Sequence, residues 1–448
     1  MKVFPKRRSF KYEILAISIL LCITWVYFIQ WWNSNLFILL WSVFGIYMAI
    51  NIWANDIANN MWPAVWSKAL TLTWAIIIAI IAEASWAIIA WWDVVDTIKG
   101  GIINPEMIKD TKVFLTIMMS TLVWAALWIN IATFFKAPVS ATHSIIGWLI
   151  WAWVTASWIK MVSWSKIWSI MLSWIISPLM WWIIAVIFMI AIRKTIFDKD
   201  NRWESAKKWV PIFIWLMSCI FTIYLMLKWV KKIYHIYPQT AIIIWLDFWL
   251  IIYALVTYNF KKKSAIFKDS KKFINKLFHI PLIFAVALLS FAHWANDVAN
   301  AIWPLAAIND IVKTWEIWIQ NVWIPLWIMF IWAIWLALWL AIFWARLIMT
   351  VWKEITKLNQ TRAFSVALAA AITVIIASQL WLPVSSTHIA IWWIFWVWFL
   401  KEFRKRNNWK TKTYIEKSMI KSIALAWIIT LPMSALISSA WYFIIIRF

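Results

Sequence analysis

Charged residues, cysteine and glycine are all scarce in this chain of 448 residues. Charged residues make up only 13% of it, about half the usual share of about 25%, which excludes an ordinary soluble domain. The two cysteines, Cys22 and Cys219, lie in apolar segments, so no disulfide framework is indicated. The four glycines fall far below the usual share of about 7%. In their place the chain is apolar, with 65% hydrophobic residues.

Apolar runs long enough to cross a bilayer, about 20 residues each, recur along the whole chain. They span 14–32, 36–53, 69–91, 113–135, 167–192, 210–228, 240–258, 279–301, 322–345, 363–382 and 420–446, with shorter runs at 143–158 and 388–400. The first run is too long, and too soon followed by another, to be a cleaved signal. The pattern predicts an all-α polytopic membrane protein with about ten to twelve transmembrane helices.

The positive charge is gathered in a few short segments. Lys and Arg number 42 against 18 acidic residues, for a net charge of +24. They concentrate at 2–11, 193–208, 261–276 and 401–421. Because loops rich in Lys and Arg stay in the cytoplasm, this distribution indicates membrane orientation rather than a nucleic-acid partner, with a cytoplasmic N-terminus.

Two polar phrases occur twice in the same order. Trp-Ala-Asn-Asp-Ile-Ala-Asn-Asn-Met-Trp-Pro at 53–63 returns as Trp-Ala-Asn-Asp-Val-Ala-Asn-Ala-Ile-Trp-Pro at 294–304, and Pro-Val-Ser-Ala-Thr-His at 138–143 returns as Pro-Val-Ser-Ser-Thr-His at 383–388. Asn55 to Asn296 is 241 residues and Pro138 to Pro383 is 245. The nearly equal offsets indicate an internal duplication.

The basic loops predict that the two copies enter the membrane from opposite sides. We therefore expect an extra N-terminal helix at 1–35, a first repeat at 36–192, connecting helices with basic loops at 193–278, and a second, inverted repeat at 279–448. Inverted repeats are typical of secondary transporters, whose substrate site lies near the bilayer midplane. Interrupted helices or re-entrant hairpins are expected there.

The Asn-Asp motifs contain polar and charged residues whose transfer into a membrane costs free energy. An Asp at the centre of a membrane helix costs about 2.5–3.5 kcal/mol on insertion scales, so it is a functional candidate by default. Spacing places Asn55 and Asn59 on one helix face. Hard oxygen ligands suit ions such as Na⁺. The proline that ends each motif, preceded by a tryptophan position that we interpret as glycine, is expected to interrupt the helix. The alternative is polar glue between helices.

The Pro-Val-Ser motifs supply hydroxyl groups directly after a proline. This is a helix-start pattern, and helix N-termini bind oxyanions. The hydroxyls belong to Ser140, Thr142, Ser385, Ser386 and Thr387. Ordinary N-capping is the alternative interpretation.

Tryptophan is unusually abundant in this chain, whereas glycine is rare. It occurs 47 times, in pairs at 31–32, 91–92, 181–182 and 392–393, and it flanks both Asn-Asp motifs. Interfacial aromatic belts explain a handful, not dozens inside the spans. Tryptophan and glycine together number 51, a normal glycine content for a transporter. We hypothesise that most of these tryptophans are glycine in the living protein, through an organism that reads the UGA codon as glycine. The alternative is a truly tryptophan-rich protein.

Read with glycine at positions 53, 62, 66, 294 and 303, the doubled motif closely resembles the twin signature of the inorganic phosphate transporter (PiT) family. The resemblance covers roughly 36–160 and 279–400. It includes Glu83 with the following Ile98-Lys99-Gly100-Gly101-Ile102, both Pro-Val-Ser motifs, and the segment 346–387 with Arg346. The middle, 193–278, carries no motif, and tryptophan at the five glycine positions is the main departure.

The resemblance implies a transporter, not an enzyme, that imports inorganic phosphate with a coupling cation, Na⁺ or H⁺, and without a cofactor. It implies a homodimer in the plasma membrane, with the lipid bilayer as its other partner. Joined to the chemistry above, it assigns substrate binding to Asn59, Ser140, Thr142, Asn300, Ser385, Ser386 and Thr387. Cation coupling, with Na⁺ as a possible ligand, falls to Asn55, Asp56, Asn296 and Asp297. Glu83, His143, His388 and Arg346 are candidates for lining the path.

Three other functions stay open at this point. A sulfate or other oxyanion permease would use the same scaffold. An ion channel is a different class, which saturable, concentrative uptake would separate from a transporter. A membrane hydrolase using Ser140 and His143 would also need an orienting acid and would rarely keep two copies.

Overall fold

The computed structural model describes residues 36–89, 110–134, 139–157, 163–226, 250–258, 270–315, 358–380, 382, 384–385 and short pieces between 429 and 443. Regular structure in these ranges is helical throughout, without a strand. The numbered helices are α1 (Leu36–Trp66), α2 (Leu72–Ile89), α3 (Thr111–Phe134), α4 (Ala141–Ser157), α5 (Trp164–Ile192), α6 (Arg202–Leu225), α7 (Lys271–Leu277), α8 (His279–Thr314) and α9 (Gln360–Gln379).

The apolar runs of the sequence become helices, which confirms a multi-pass membrane protein. In the part that the structure describes, four helices are long and apolar enough to cross a membrane. A fifth span is possible from α7 and the start of α8, which meet at a bend of 41°. The predicted total of about ten to twelve spans also draws on runs outside the described residues.

Side-chain caps fix several helix ends. Asn201 Oδ1 accepts the Glu204 N–H at 3.0 Å before α6, and Asn359 Oδ1 accepts the Arg362 N–H at 3.0 Å before α9. Each cap satisfies a backbone donor that the first helical turn leaves open. The charge pattern predicts that the basic segment 193–208 is a loop, but most of this segment is helical. A π turn continues α5 to Phe197, and α6 begins at Arg202.

Helix α8 lies at the centre of the packing. It contacts α9, α1, α2 and α3, while α9 also packs against α5 and α1. The two helices that carry the Asn-Asp motifs, α1 and α8, are therefore direct neighbours. They approach each other closely at Gly45, where an added Cβ atom would stand 2.7 Å from Leu305 Cδ2. Glycine at this position allows the two motif helices to meet.

One face of α5 exposes a continuous apolar stripe. Trp168 is 65% exposed, Ile175 63% and Ile187 58%. Leu172 and Ile183 lie between them at helical spacing and are exposed too. Soluble proteins rarely expose contiguous apolar surface on this scale. The stripe is the surface expected of a helix that faces lipid.

Both Asn-Asp motifs lie inside unbroken helices, so the predicted interruption there is wrong. Helix α1 runs through Asp56 and Pro63, and α8 runs through Asp297 and Pro304. A proline removes only one backbone donor from the ladder, and buried neighbours such as Met61 hold the rest of the helix in place. The inverted orientation of the repeats and the re-entrant hairpins stay predictions.

Candidate functional site

A small cavity lies between α1, α5, α8 and α9, beside the first Asn-Asp motif. Its volume is about 20 Å³, close to the space that one water molecule needs. Four helices enclose it, with α1 contributing motif residues, α8 contributing Leu289 and α9 contributing a small-residue wall. Among the described residues, its lining is Asn59, Asn60, Trp62, Pro63, Trp181, Leu289, Val366, Ala367, Ala370 and Val374.

Two adjacent asparagines from the first motif line this cavity, which is otherwise lined mainly by apolar residues. Asn59 is 6% exposed and Asn60 is 1% exposed. A buried polar group in apolar surroundings costs free energy unless it is hydrogen-bonded, and within the described part of the chain Asn60 Nδ2 has no acceptor. The predicted substrate residue Asn59 therefore lies in a cavity, and it lies there with a neighbour that the motif comparison had not singled out.

The opposite wall is held by a contact between α5 and α9. Trp181 Nε1 on α5 donates a hydrogen bond to the Val366 carbonyl oxygen of α9 at 3.1 Å. The indoles of Trp62 and Trp181 are each only 1% exposed. These two large side chains limit the volume of the cavity.

The two Pro-Val-Ser motifs meet directly. Thr142 Oγ1 donates a hydrogen bond to the Val384 carbonyl oxygen at 3.3 Å, across 242 residues of sequence. Thr142, Ser140 and Ser385 are each 1% exposed. The first copy of the motif thus contacts the backbone of the second, and their hydroxyl residues share one buried region.

Ser140 caps helix α4. Its Oγ accepts the His143 N–H at 3.1 Å, and Ser144 Oγ donates to the Ser140 carbonyl oxygen at 2.8 Å. This is the N-capping geometry that had been considered as the alternative to oxyanion binding. His143 is 5% exposed and packs its ring against Trp174, with 3.6 Å between ring centroids.

The remaining predicted site residues fall outside the described side chains. Asn55, Asp56, Asn296, Asp297 and Asn300 lie within α1 and α8, and Glu83 lies within α2, but only their backbones are described. Ser386, Thr387, His388 and Arg346 lie outside the described residues altogether. Among the side chains that are described, no three His, Cys, Asp or Glu residues gather as a metal site.

Sequence reasoning missed Asn60 and Trp181. Asn60 belongs to the first motif but has Ala301 as its counterpart in the second, so a search for doubled residues passes over it. Trp181 lies outside every motif and reaches the cavity only through the packing of α5 on α9. The available signal was the polarity of Asn60 inside an apolar run.

Comparison with known proteins agrees with this architecture. The model of the phosphate transporter family matches residues 52–438. A Helicobacter pylori protein named as a phosphate permease is 45% identical over 372 residues, which cover 83% of this chain and 70% of that protein. A Pyrococcus abyssi protein named likewise is 33% identical over 90% of this chain and 96% of its own length.

A solved structure shares the fold. It is that of a sodium-dependent phosphate transporter, with a TM-score of 0.79 and 30% sequence identity over 90% of this chain and 97% of that one. The matching family consists of transporters rather than enzymes. With its apolar helices, its doubled motifs and a family match that spans most of its length, this chain belongs to the phosphate transporter family.

Proposed function

We propose that the protein is a secondary active transporter that imports inorganic phosphate together with a cation, Na⁺ or H⁺. The observation that carries this proposal is the hydrogen bond from Thr142 to the Val384 carbonyl oxygen, which joins the two copies of the hydroxyl motif. A site assembled from both repeats is what alternating access around a central substrate requires. The sodium dependence in the name of the structural neighbour supports a coupling cation.

Electrostatics gives the reason for coupling. Phosphate carries one to two negative charges near neutral pH, and each repeat contributes one acidic residue, Asp56 and Asp297, to its Asn-Asp motif. Like charges repel strongly in a medium of low dielectric constant. A cation bound at these carboxylates removes the repulsion, so uptake of phosphate and cation becomes linked.

The residues divide between these two tasks. Under the proposal Asn55, Asp56, Asn296 and Asp297 hold the cation, and the amides and hydroxyls of Asn59, Ser140, Thr142, Asn300, Ser385, Ser386 and Thr387 bind phosphate. Glu83, His143, His388 and Arg346 line the path. The protein acts as a homodimer in the plasma membrane, with its N-terminus in the cytoplasm.

Uptake into proteoliposomes tests the proposal. Radiolabelled phosphate and sulfate are offered in turn, each with an imposed Na⁺ gradient, an imposed pH gradient, or neither. We expect saturable, concentrative phosphate uptake that one of the two gradients drives. Preferred uptake of sulfate would assign a different oxyanion to the same scaffold. Phosphate flux that only follows its own gradient, without saturation, would indicate a channel and contradict the proposal.

A further inference from the structure

We propose that Asn60 is a phosphate ligand in addition to the residues shared by the two motifs, and that its side-chain amide donates a hydrogen bond to a phosphate oxygen. This inference rests on the proposed function and extends it to a residue that the duplication does not repeat. It names a donor, a cavity and a chemical class of ligand.

In the part of the chain that the structure describes, the Asn60 side-chain amide is buried and carries an unsatisfied hydrogen-bond donor. Asn60 is 1% exposed, and it lines the cavity together with Asn59. Within the described part of the chain its Nδ2 atom has no hydrogen-bond acceptor. Buried side-chain donors are nearly always paired, because an unsatisfied donor lowers stability. A donor that stays unsatisfied next to a cavity is explained if a ligand supplies the acceptor.

A second asparagine on the same helix shows the contrast. Asn51 is 3% exposed, and its Nδ2 donates to the Tyr47 carbonyl oxygen at 2.8 Å. Its Oδ1 accepts a hydrogen bond from Asn130 Nδ2 at 2.9 Å. The amide of Asn51 is therefore satisfied within the protein, on the contact between α1 and α3. The two asparagines share residue type, helix and burial, and they differ in whether protein groups complete their hydrogen bonds.

The chemistry of an amide donor suits an oxyanion. With one to two negative charges, phosphate keeps at least two unprotonated oxygens that only accept hydrogen bonds, and a neutral N–H group binds such an oxygen without adding charge to the site. A carboxylate at the same position would repel phosphate. The counterpart of Asn60 in the second repeat is Ala301, so this donor is present once and makes the two halves of the site unequal.

To hold phosphate, the cavity must be wider than the one that two indole side chains now enclose. Its volume of about 20 Å³ takes one water molecule, not a phosphate ion. Trp62 and Trp181 are the two largest side chains that limit it. Trp62 is one of the positions where the family resemblance has glycine, and Trp181 belongs to one of the four tryptophan pairs. The experiment is therefore made in two backgrounds, the tryptophan-containing chain and a chain with glycine at positions 62 and 181.

Paired variants of the two asparagines test the inference. In whichever background takes up phosphate, Asn60→Ala should raise the half-saturating phosphate concentration at least about tenfold, as expected for the loss of a hydrogen bond to a charged group. Asn60→Asp should reduce uptake further. Thermal unfolding of Asn60→Ala without phosphate should be unchanged or shifted upward, because an unsatisfied donor has been removed. Inorganic phosphate should raise the unfolding temperature of this variant less than that of its parent.

The matched control, Asn51→Ala, should show the reverse pattern. It breaks two hydrogen bonds and should unfold at lower temperature, while the folded fraction keeps the half-saturating phosphate concentration of the parent within about twofold. If Asn60→Ala keeps the parental phosphate affinity, or loses stability as Asn51→Ala does, then Asn60 is structural and the inference is wrong. If neither parent takes up phosphate, the failure lies with the proposed function instead.

Discussion

At the scale of single residues, several buried indoles lack a hydrogen-bond acceptor. Within the described part of the chain, the Nε1 atoms of Trp128, Trp148 and Trp153 have none, although Trp148 and Trp153 are 0% and 1% exposed. Tryptophan normally pairs its N–H group when it is buried, as Trp181 does with the Val366 carbonyl oxygen. Glycine at such positions would leave no side-chain donor to satisfy. The packing therefore supports the hypothesis that these codons are read as glycine.

The first prediction concerns the identity of these residues. Native protein, purified from its own cells, is digested and its peptides are sequenced by mass spectrometry. Peptides that cover positions 53, 62, 294 and 303 should carry glycine, because both Asn-Asp motifs match the family pattern only with glycine there. Peptides covering Gly45 and Gly147, which are glycine in this sequence, serve as the control. Tryptophan masses at all four positions would refute recoding.

The second prediction separates the cation site from the phosphate site. Asp56→Asn and Asp297→Asn keep the size of the side chain and remove its charge, so cation affinity should fall and uptake should drop at least about tenfold, or about 1.4 kcal/mol. Phosphate affinity at saturating cation should suffer less, because repulsion of the anion falls too. The measurement is uptake as a function of both cation and phosphate concentration.

Thr142→Ala is the counterpart of the aspartate variants. Its hydroxyl contacts Val384 of the second motif. Loss of this group should weaken phosphate binding and leave the dependence on cation concentration in place. Unaltered cation dependence in both aspartate variants would place the coupling site elsewhere in the protein.

At the scale of helices, the sequence predicts where the spans lie but not how they meet. The runs 113–135 and 167–192 became α3 (Thr111–Phe134) and α5 (Trp164–Ile192), because long apolar stretches have one stable form in a bilayer. The apolar run 36–53 is shorter than its helix, because the helix continues through the polar Asn-Asp motif and Pro63 to Trp66.

Contacts between distant segments lie beyond what spacing reveals. The hydrogen bond of Asn130 to Asn51 joins residues 79 positions apart, and the cavity brings Asn60 next to Val366. Repetition identifies residues that both copies keep, so it finds Asn59 and misses Asn60. The part of the site that breaks the symmetry is the part that requires a structure.

The third prediction concerns the contact between α1 and α8. Gly45→Val should force the helices apart or displace Leu305, because even a single Cβ atom at Gly45 would stand 2.7 Å from Leu305 Cδ2. Overpacking of this kind costs about 1–3 kcal/mol, which thermal unfolding in detergent would register as a lower midpoint.

Leu305→Ala, made in the same chain, should restore the stability that Gly45→Val loses. Combined with Gly45→Val, it makes room on α8 for the added methyl groups and should recover much of the lost stability. If the effects of the two single changes simply add in the double variant, the two positions are not coupled across α1 and α8 and the prediction is wrong.

At the scale of the whole molecule, the predicted inverted repeats require that equivalent motifs enter from opposite sides of the membrane. The exposed turn at 198–201, between α5 and α6, lies in a basic segment and should face the cytoplasm. The fourth prediction is that a tag at Asp200 or within 261–276 is accessible only from the cytoplasm, and a tag within 33–35 only from outside. Selective labelling of intact and permeabilised cells measures this, and the same side for 33–35 and 261–276 would contradict the inverted arrangement.

The hydrogen bond between Thr142 and Val384 can form only late in synthesis, because its two residues lie far apart in the sequence. The ribosome must add 242 residues after Thr142 before its acceptor exists. At an elongation rate of about 5–20 residues per second, that interval lasts about 12–50 seconds. Once residues up to 192 have been added, the first repeat waits without the partner that completes its hydroxyl motif until Val384 is made. During synthesis, the site therefore exists at first with only one of its two hydroxyl motifs. A chain that terminates before the second motif never completes the site.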